Sequence, residues 1–165
     1  MLEIRRSTQQ GMERLGVPEQ GCWLHVVEPT PADLAAVRDF GVPADLLTHV
    51  LDIDERPRVE HVGEVVLVVL HYPLRRAERG VPPWRTLPVS VLLTPRGVVT
   101  IAAAQTPFLA PLLDGQVPGL STVRGSEFVL RVCWQLADAC LAGLREINES
   151  VDRLENELKR SLRNE

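Results

Sequence analysis

The chain reads as an α/β protein that ends in one very long helix. Three observations predict this. Short runs of bulky and β-branched residues alternate with segments that open on a capping residue followed by proline. Residues 64–72 (Glu-Val-Val-Leu-Val-Val-Leu-His-Tyr) form a continuous apolar run, as expected of a strand covered on both faces. Residues 126–162 carry a helical pattern without a break, about 55 Å at the α-helical rise. The mean globular helix has about 11–12 residues, so this one needs a reason.

The elements follow in order. Residues 2–5 allow a short first strand, and residues 7–21, broken by Gly11, Gly16, Pro18 and Gly21, read as a loop. Residues 22–27 (Cys-Trp-Leu-His-Val-Val) read as a strand. Thr30, Pro31 and Asp33 supply a cap, a first-position proline and a capping-box acceptor for a helix that stops at Gly41. A second short helix starts at Pro43, with Leu46, Leu47, Val50 and Leu51 on its apolar face. Residues 52–58 connect, and residues 75–85 form a polar loop containing prolines. Strands at 87–94 and 98–103 are joined by Pro95-Arg96-Gly97, which predicts an antiparallel hairpin. Thr106-Pro107 opens a short helix ending near Gly115, and 117–125 is a loop. The chain divides into an α/β body, residues 1–125, and the long helix, residues 126–165.

Composition narrows the class. The 165 residues suit one domain, and 45% hydrophobic with 24% charged residues excludes a mainly disordered chain. A net charge of −4 speaks against general nucleic-acid binding. No run approaches the roughly 20 apolar residues of a spanning helix, and the N-terminus lacks the apolar core of a signal peptide. The sequence therefore reads as soluble and unsecreted. Cys22, Cys133 and Cys140 are odd in number and read as buried thiols of a reducing compartment.

Along the long helix, Leu130, Cys133, Ala137, Cys140, Leu144, Ile147, Val151, Leu154 and Leu158 recur in steps of three and four. This is a heptad seam. Before Gly143 other apolar residues flank it, among them Val129, Val132, Leu136 and Leu141, so that half should pack broadly on the body. After Asn148 every residue off the seam through Arg160 is polar, and a narrow seam on a polar helix calls for a helical partner. Either the chain self-associates there or the partner helix lies beyond Glu165.

Catalytic signatures are missing: no P-loop, GxGxxG, GxSxG or HExxH is found. Asp45, His49 and Asp52 fall at i, i+4 and i+7, which puts two carboxylates and an imidazole on one face of the second helix. Such a set can hold a divalent cation weakly, with water completing the shell, although a plain solvated face is the commoner outcome. Glu60, His61 and Glu64 make a looser acidic group. Trp23 and Trp134 are expected in the core, while Trp84, in the proline-rich loop, is left open between an exposed contact and an anchor.

The string Trp23-Leu24-His25-Val26, a helix, Gly41-Val42-Pro43, Leu51-Asp52, and then Glu55-Arg56-Pro57-Arg58-Val59-Glu60 before a long apolar strand resembles the N-terminal cytoplasmic domain of CorA-type divalent-cation transporters. The hairpin at Pro95-Arg96-Gly97 and the final helix with Ile147, Val151, Leu154 and Glu155 are similar too. The resemblance covers residues 21–158, and Arg-Pro-Arg-Val-Glu is its most specific part. It implies a three-layer α/β/α sandwich with a mixed sheet, on the cytoplasmic side of the membrane. It also implies a homo-oligomer, pentameric in the full-length parent, carrying Mg2+, Co2+ or Ni2+, with a zinc-transporting branch. Regulatory Mg2+ sites between subunits would favour closure.

The pore parts of that family, including its Gly-Met-Asn signature, are not in these residues, so the membrane would be reached only through C-terminal helices outside them. The fragment itself should be a monomer or dimer that cannot conduct ions. His49 falls where the family has a regulatory aspartate, which leaves any site at His49, Asp52 and Asp45 weak or tuned to another divalent cation. A self-associating interaction module is the alternative function, and an enzyme is not expected.

Overall fold

The strand Cys22–Val27 is buried on both of its faces, and this sets the architecture. The computed structural model describes residues 1–76 and 83–161. Its elements are β1 (Leu2–Thr8), β2 (Gly11–Leu15), β3 (Cys22–Val27), α1 (Pro31–Asp39), α2 (Ala44–His49), β4 (Arg58–Val62), β5 (Val65–Arg75), β6 (Trp84–Thr94), β7 (Gly97–Ala102), a 3-10 turn (Pro107–Leu109), α3 (Ala110–Leu113) and α4 (Gly125–Ser161). The seven strands form one sheet in the order β2-β1-β3-β7-β6-β5-β4. β3 and β7 run parallel, with Leu24 beside Val99, and the other described pairs are antiparallel. The sheet is therefore mixed.

Successive side chains of a strand point to opposite faces. Cys22, Leu24 and Val26 of β3 join Val37, Phe40, Leu46 and Val50 from α1, α2 and their ends in one core. Trp23 joins the other core, with Phe108 and Leu109 of the 3-10 turn, Leu112 of α3, and Phe128 and Val132 of α4. Helices thus cover both faces, and the fold is the expected three-layer α/β/α sandwich with a mixed sheet.

Local signals explain most elements. At the start of α1, Thr30 Oγ1 accepts from the Asp33 backbone N–H at 3.2 Å, and Asp33 Oδ2 accepts from the Thr30 N–H at 2.9 Å. This is the reciprocal capping box. α1 ends on Phe40, and Gly41 takes a φ of 104°, which favours glycine. The β6–β7 hairpin turns with Thr94 opposite Gly97.

Several elements differ from the sequence expectation. β1 runs to Thr8 and pairs with β2, where the sequence predicts a loop. β2 is Gly-Met-Glu-Arg-Leu at a sheet edge, and edge pairing asks for little apolar pattern. β4 is likewise an edge strand where the sequence predicts none. On β5, Val65, Leu67 and Val69 are buried towards α1 and α2, but Val68 and Leu70 are only half-covered on the α4 side. β6 begins at Trp84, so that residue lies on a strand, and residues 77–82 of the expected loop lie outside the described residues.

α4 spans 37 residues. It buries Phe128, Val132 and Gly143, and beyond Gly143 none of its described residues is buried.

Candidate functional site

Of the predicted trio, Asp45 and His49 lie on α2 and Asp52 lies beyond its end. α2 closes at His49, with Val50 as its cap. The chain then turns twice, the Asp52 N–H donating to the His49 carbonyl at 3.1 Å and the Glu55 N–H to the Asp52 carbonyl at 3.2 Å. Asp52 is therefore off the helix, which corrects the expected single face. Its Oδ1 accepts from the Asp54 N–H at 2.9 Å, a local turn bond. Asp45 stays exposed in the first turn of α2.

His49 instead meets Glu55, with Nδ1 3.7 Å from Oε2. Glu55 is also ion-paired with Arg58, whose Nε donates to Glu60 Oε2 at 2.9 Å. Glu60 and Glu55 together raise the Arg58 pKa above its ordinary value. His71 Nε2 donates to the Glu55 carbonyl at 2.7 Å and ties this connector to β5. The Arg-Pro segment thus organises an ion-pair cluster. Among the described residues no group of three or more His, Cys, Asp or Glu side chains is placed to hold a metal ion. The donors do not fit a complete centre within one chain: Asp52 is turned onto backbone and Glu55 is held by a guanidinium.

A second polar group lies in the sheet. Trp23 Nε1–H donates to Thr100 Oγ1 at 2.8 Å. His25 Nδ1 is 2.9 Å from the same oxygen, and His25 Nε2 is 3.3 Å from Thr106 Oγ1. Thr100 can give its own hydrogen to Nδ1, which assigns the His25 proton to Nε2, facing Thr106. Burial pushes the His25 pKa down to about 4. The imidazole is 4% exposed and ties β3, β7 and the segment before the 3-10 turn together.

The largest open feature is the outer face of α4. The body-facing stripe is Phe128, Val132, Leu136, Ala139 and Gly143, so the heptad seam points away from the sheet. Leu130, Leu144, Ile147, Val151, Leu154 and Leu158 are all exposed. Trp134 is 68% exposed, which corrects its expected place in the core, since position 134 lies beside the seam and not over the sheet. Cys22 is buried as expected, but Cys133 is half-buried and Cys140 exposed, because both belong to the seam. A groove of about 480 Å3 runs between Trp84 and the Ile147–Leu154 stretch, and Arg75 Nη2 pairs with Glu146 Oε1 at 2.7 Å beside it. The sequence showed this seam but not which face of the helix the body would take.

Among the described residues no helix is long and apolar enough to cross a membrane. No curated protein matches the chain. Solved structures do. The soluble domain of CorA from Methanocaldococcus jannaschii superposes with a TM-score of 0.76 at 18% identity, over 96% of this chain and 64% of that one. The complete CorA magnesium transporter of the same organism gives the same score and identity, with 51% of its length covered. The ZntB cytoplasmic domain from Vibrio parahaemolyticus gives 0.71 at 13% identity, over 92% and 63%. The chain thus spans between about half and two thirds of these structures, which share its fold. The family model described as CorA-like Mg2+ transporter protein matches residues 18–165, and the chain belongs to that family.

Proposed function

We propose that these residues form the cytoplasmic, regulatory domain of a divalent-cation transporter that works as a homo-oligomer, its conducting part supplied by segments outside them. The family match over residues 18–165 carries this reading. The exposed seam of α4 supports it, because an apolar helix face of this length implies assembly with further helices. The domain senses and does not catalyse.

Asp45, His49 and Asp52 then act as a partial ligand set, completed by a neighbouring subunit. A cation bound there shifts the transporter towards closure only if it binds the closed state more tightly than the open one. An imidazole among the ligands favours Co2+ or Zn2+ over Mg2+.

The test is to express the native gene in full, fractionate the cells and measure Mg2+ and Co2+ uptake. A membrane-bound product that carries cation flux supports the reading. A product found only in the soluble fraction, with no flux, overturns it. The exposed seam also favours a second reading, a self-associating soluble module, which predicts that second result.

A further inference from the structure

We infer that Arg58 is a tethered cation holding the place beside Glu55 that a divalent cation would take, and that Glu55, not Asp52, is the carboxylate that stands with His49 as a ligand. The inference rests on the cation-regulated reading above and adds two residues to it. The two turns that follow α2 bring Glu55 back beside His49. The Glu55 carboxylate then has a different partner at each oxygen: Oε1 pairs with Arg58 Nη1, and Oε2 lies 3.7 Å from His49 Nδ1. The His71 bond to the Glu55 carbonyl fixes the backbone at this point. Two ligands of one first-row divalent ion, at bond lengths of roughly 2.1 Å, stand about 3 Å apart. The imidazole nitrogen and the carboxylate oxygen are already close to that spacing. The Glu55 side chain is 14% exposed, while His49, at 59%, keeps the pair open to solvent. Water would complete the shell, because among the described residues no group of three such side chains is placed to hold a metal ion.

Asp52 is engaged by the Asp54 N–H, whereas Glu55 is held only by a competing charge. A guanidinium keeps its charge throughout the physiological range, so protonation does not relieve the competition. Glu55 therefore ligates only when Arg58 gives way. Arg58 has a second partner to fall back on. Its Nε already donates to Glu60 Oε2 at 2.9 Å, so release from Glu55 does not leave a half-buried charge alone. The donor types set the ligand class. Mg2+ prefers an all-oxygen shell and keeps its waters, while Co2+ and Zn2+ accept an imidazole. His49 and Glu55 thus select a first-row cation, and Arg58 raises the concentration at which it binds.

The test is calorimetry of this chain with Co2+. Arg58→Gln should tighten binding by at least about tenfold, the worth of one charge-assisted bond. Adding Glu55→Gln or His49→Ala to that variant should remove the gain, and Arg58→Lys, which keeps the charge, should stay near the parent. Thermal melts give a second reading if Arg58→Gln loosens the fold: Co2+ should raise the melting temperature of that variant and leave the parent unchanged, because a ligand stabilises only the state that binds it. An Arg58→Gln variant that binds Co2+ no more tightly than the parent, or a gain that survives Glu55→Gln, would overturn the inference. Either result concerns binding by this chain alone, so it is read separately from the uptake test of the transport reading.

Discussion

A β-carbon placed on Gly143 of α4 would stand 3.7 Å from the Trp84 ring of β6, ordinary van der Waals contact. Glycine is thus not needed for space, and it costs helix stability relative to alanine. Gly143→Ala should raise stability by ~0.5–1 kcal/mol in chemical denaturation. Gly143→Leu should displace Trp84 and lower stability, with a change in its fluorescence. A destabilised Gly143→Ala would show that the two elements pack more tightly than this distance allows.

Gly97 is the opposite case. A β-carbon there would lie 2.2 Å from the Cys22 backbone oxygen, in a residue at φ 150°. Neither backbone can yield without breaking the parallel β3–β7 pairing, where Cys22 and Gly97 are register partners. Gly97→Ala should cost at least ~2 kcal/mol. A thermal melt within error of the parent would contradict this.

Burial holds His25 neutral, with a pKa of about 4 against 6.5 in the unfolded chain. Of its charged neighbours on β1, Glu3 raises that value and Arg5 lowers it. Between these two pH values the unfolded state binds more protons, so stability is full above pH 6.5 and falls as pH drops towards 4. The loss should approach about 3 kcal/mol. Denaturation at several pH values checks this, and His25→Gln should flatten the profile in that window. An unchanged slope in the variant would assign the acid sensitivity to other groups.

With no group of three or more acidic, His or Cys side chains placed to hold a metal among the described residues, metal binding by these residues alone should be weak. Calorimetry with Mg2+ should show millimolar or weaker affinity, and Asp45→Asn or Asp52→Asn should change it little. A micromolar isotherm lost in those variants would show a complete site within one chain.

Sequence by itself determined the elements whose signals are local. The Thr30–Asp33 capping box, the hairpin at residues 94–97 and the unbroken α4 pattern each depend on contacts a few residues apart or on a single period. The heptad seam was legible for the same reason. Tertiary structure alone decided what depends on distant partners. β2 and β4 exist because β1 and β5 offer an edge, not because their own residues alternate strongly. Trp23 is buried and Trp134 exposed, although both are tryptophans within regular elements, because α4 turns its Phe128–Val132 face and not its seam to the sheet. Asp52 left the predicted trio because α2 stops at His49, where the turns that follow and the Glu55–Arg58 pair take over. Periodicity shows that a helix has an apolar face. Which of two such faces meets the core is settled only by packing summed over the whole sheet.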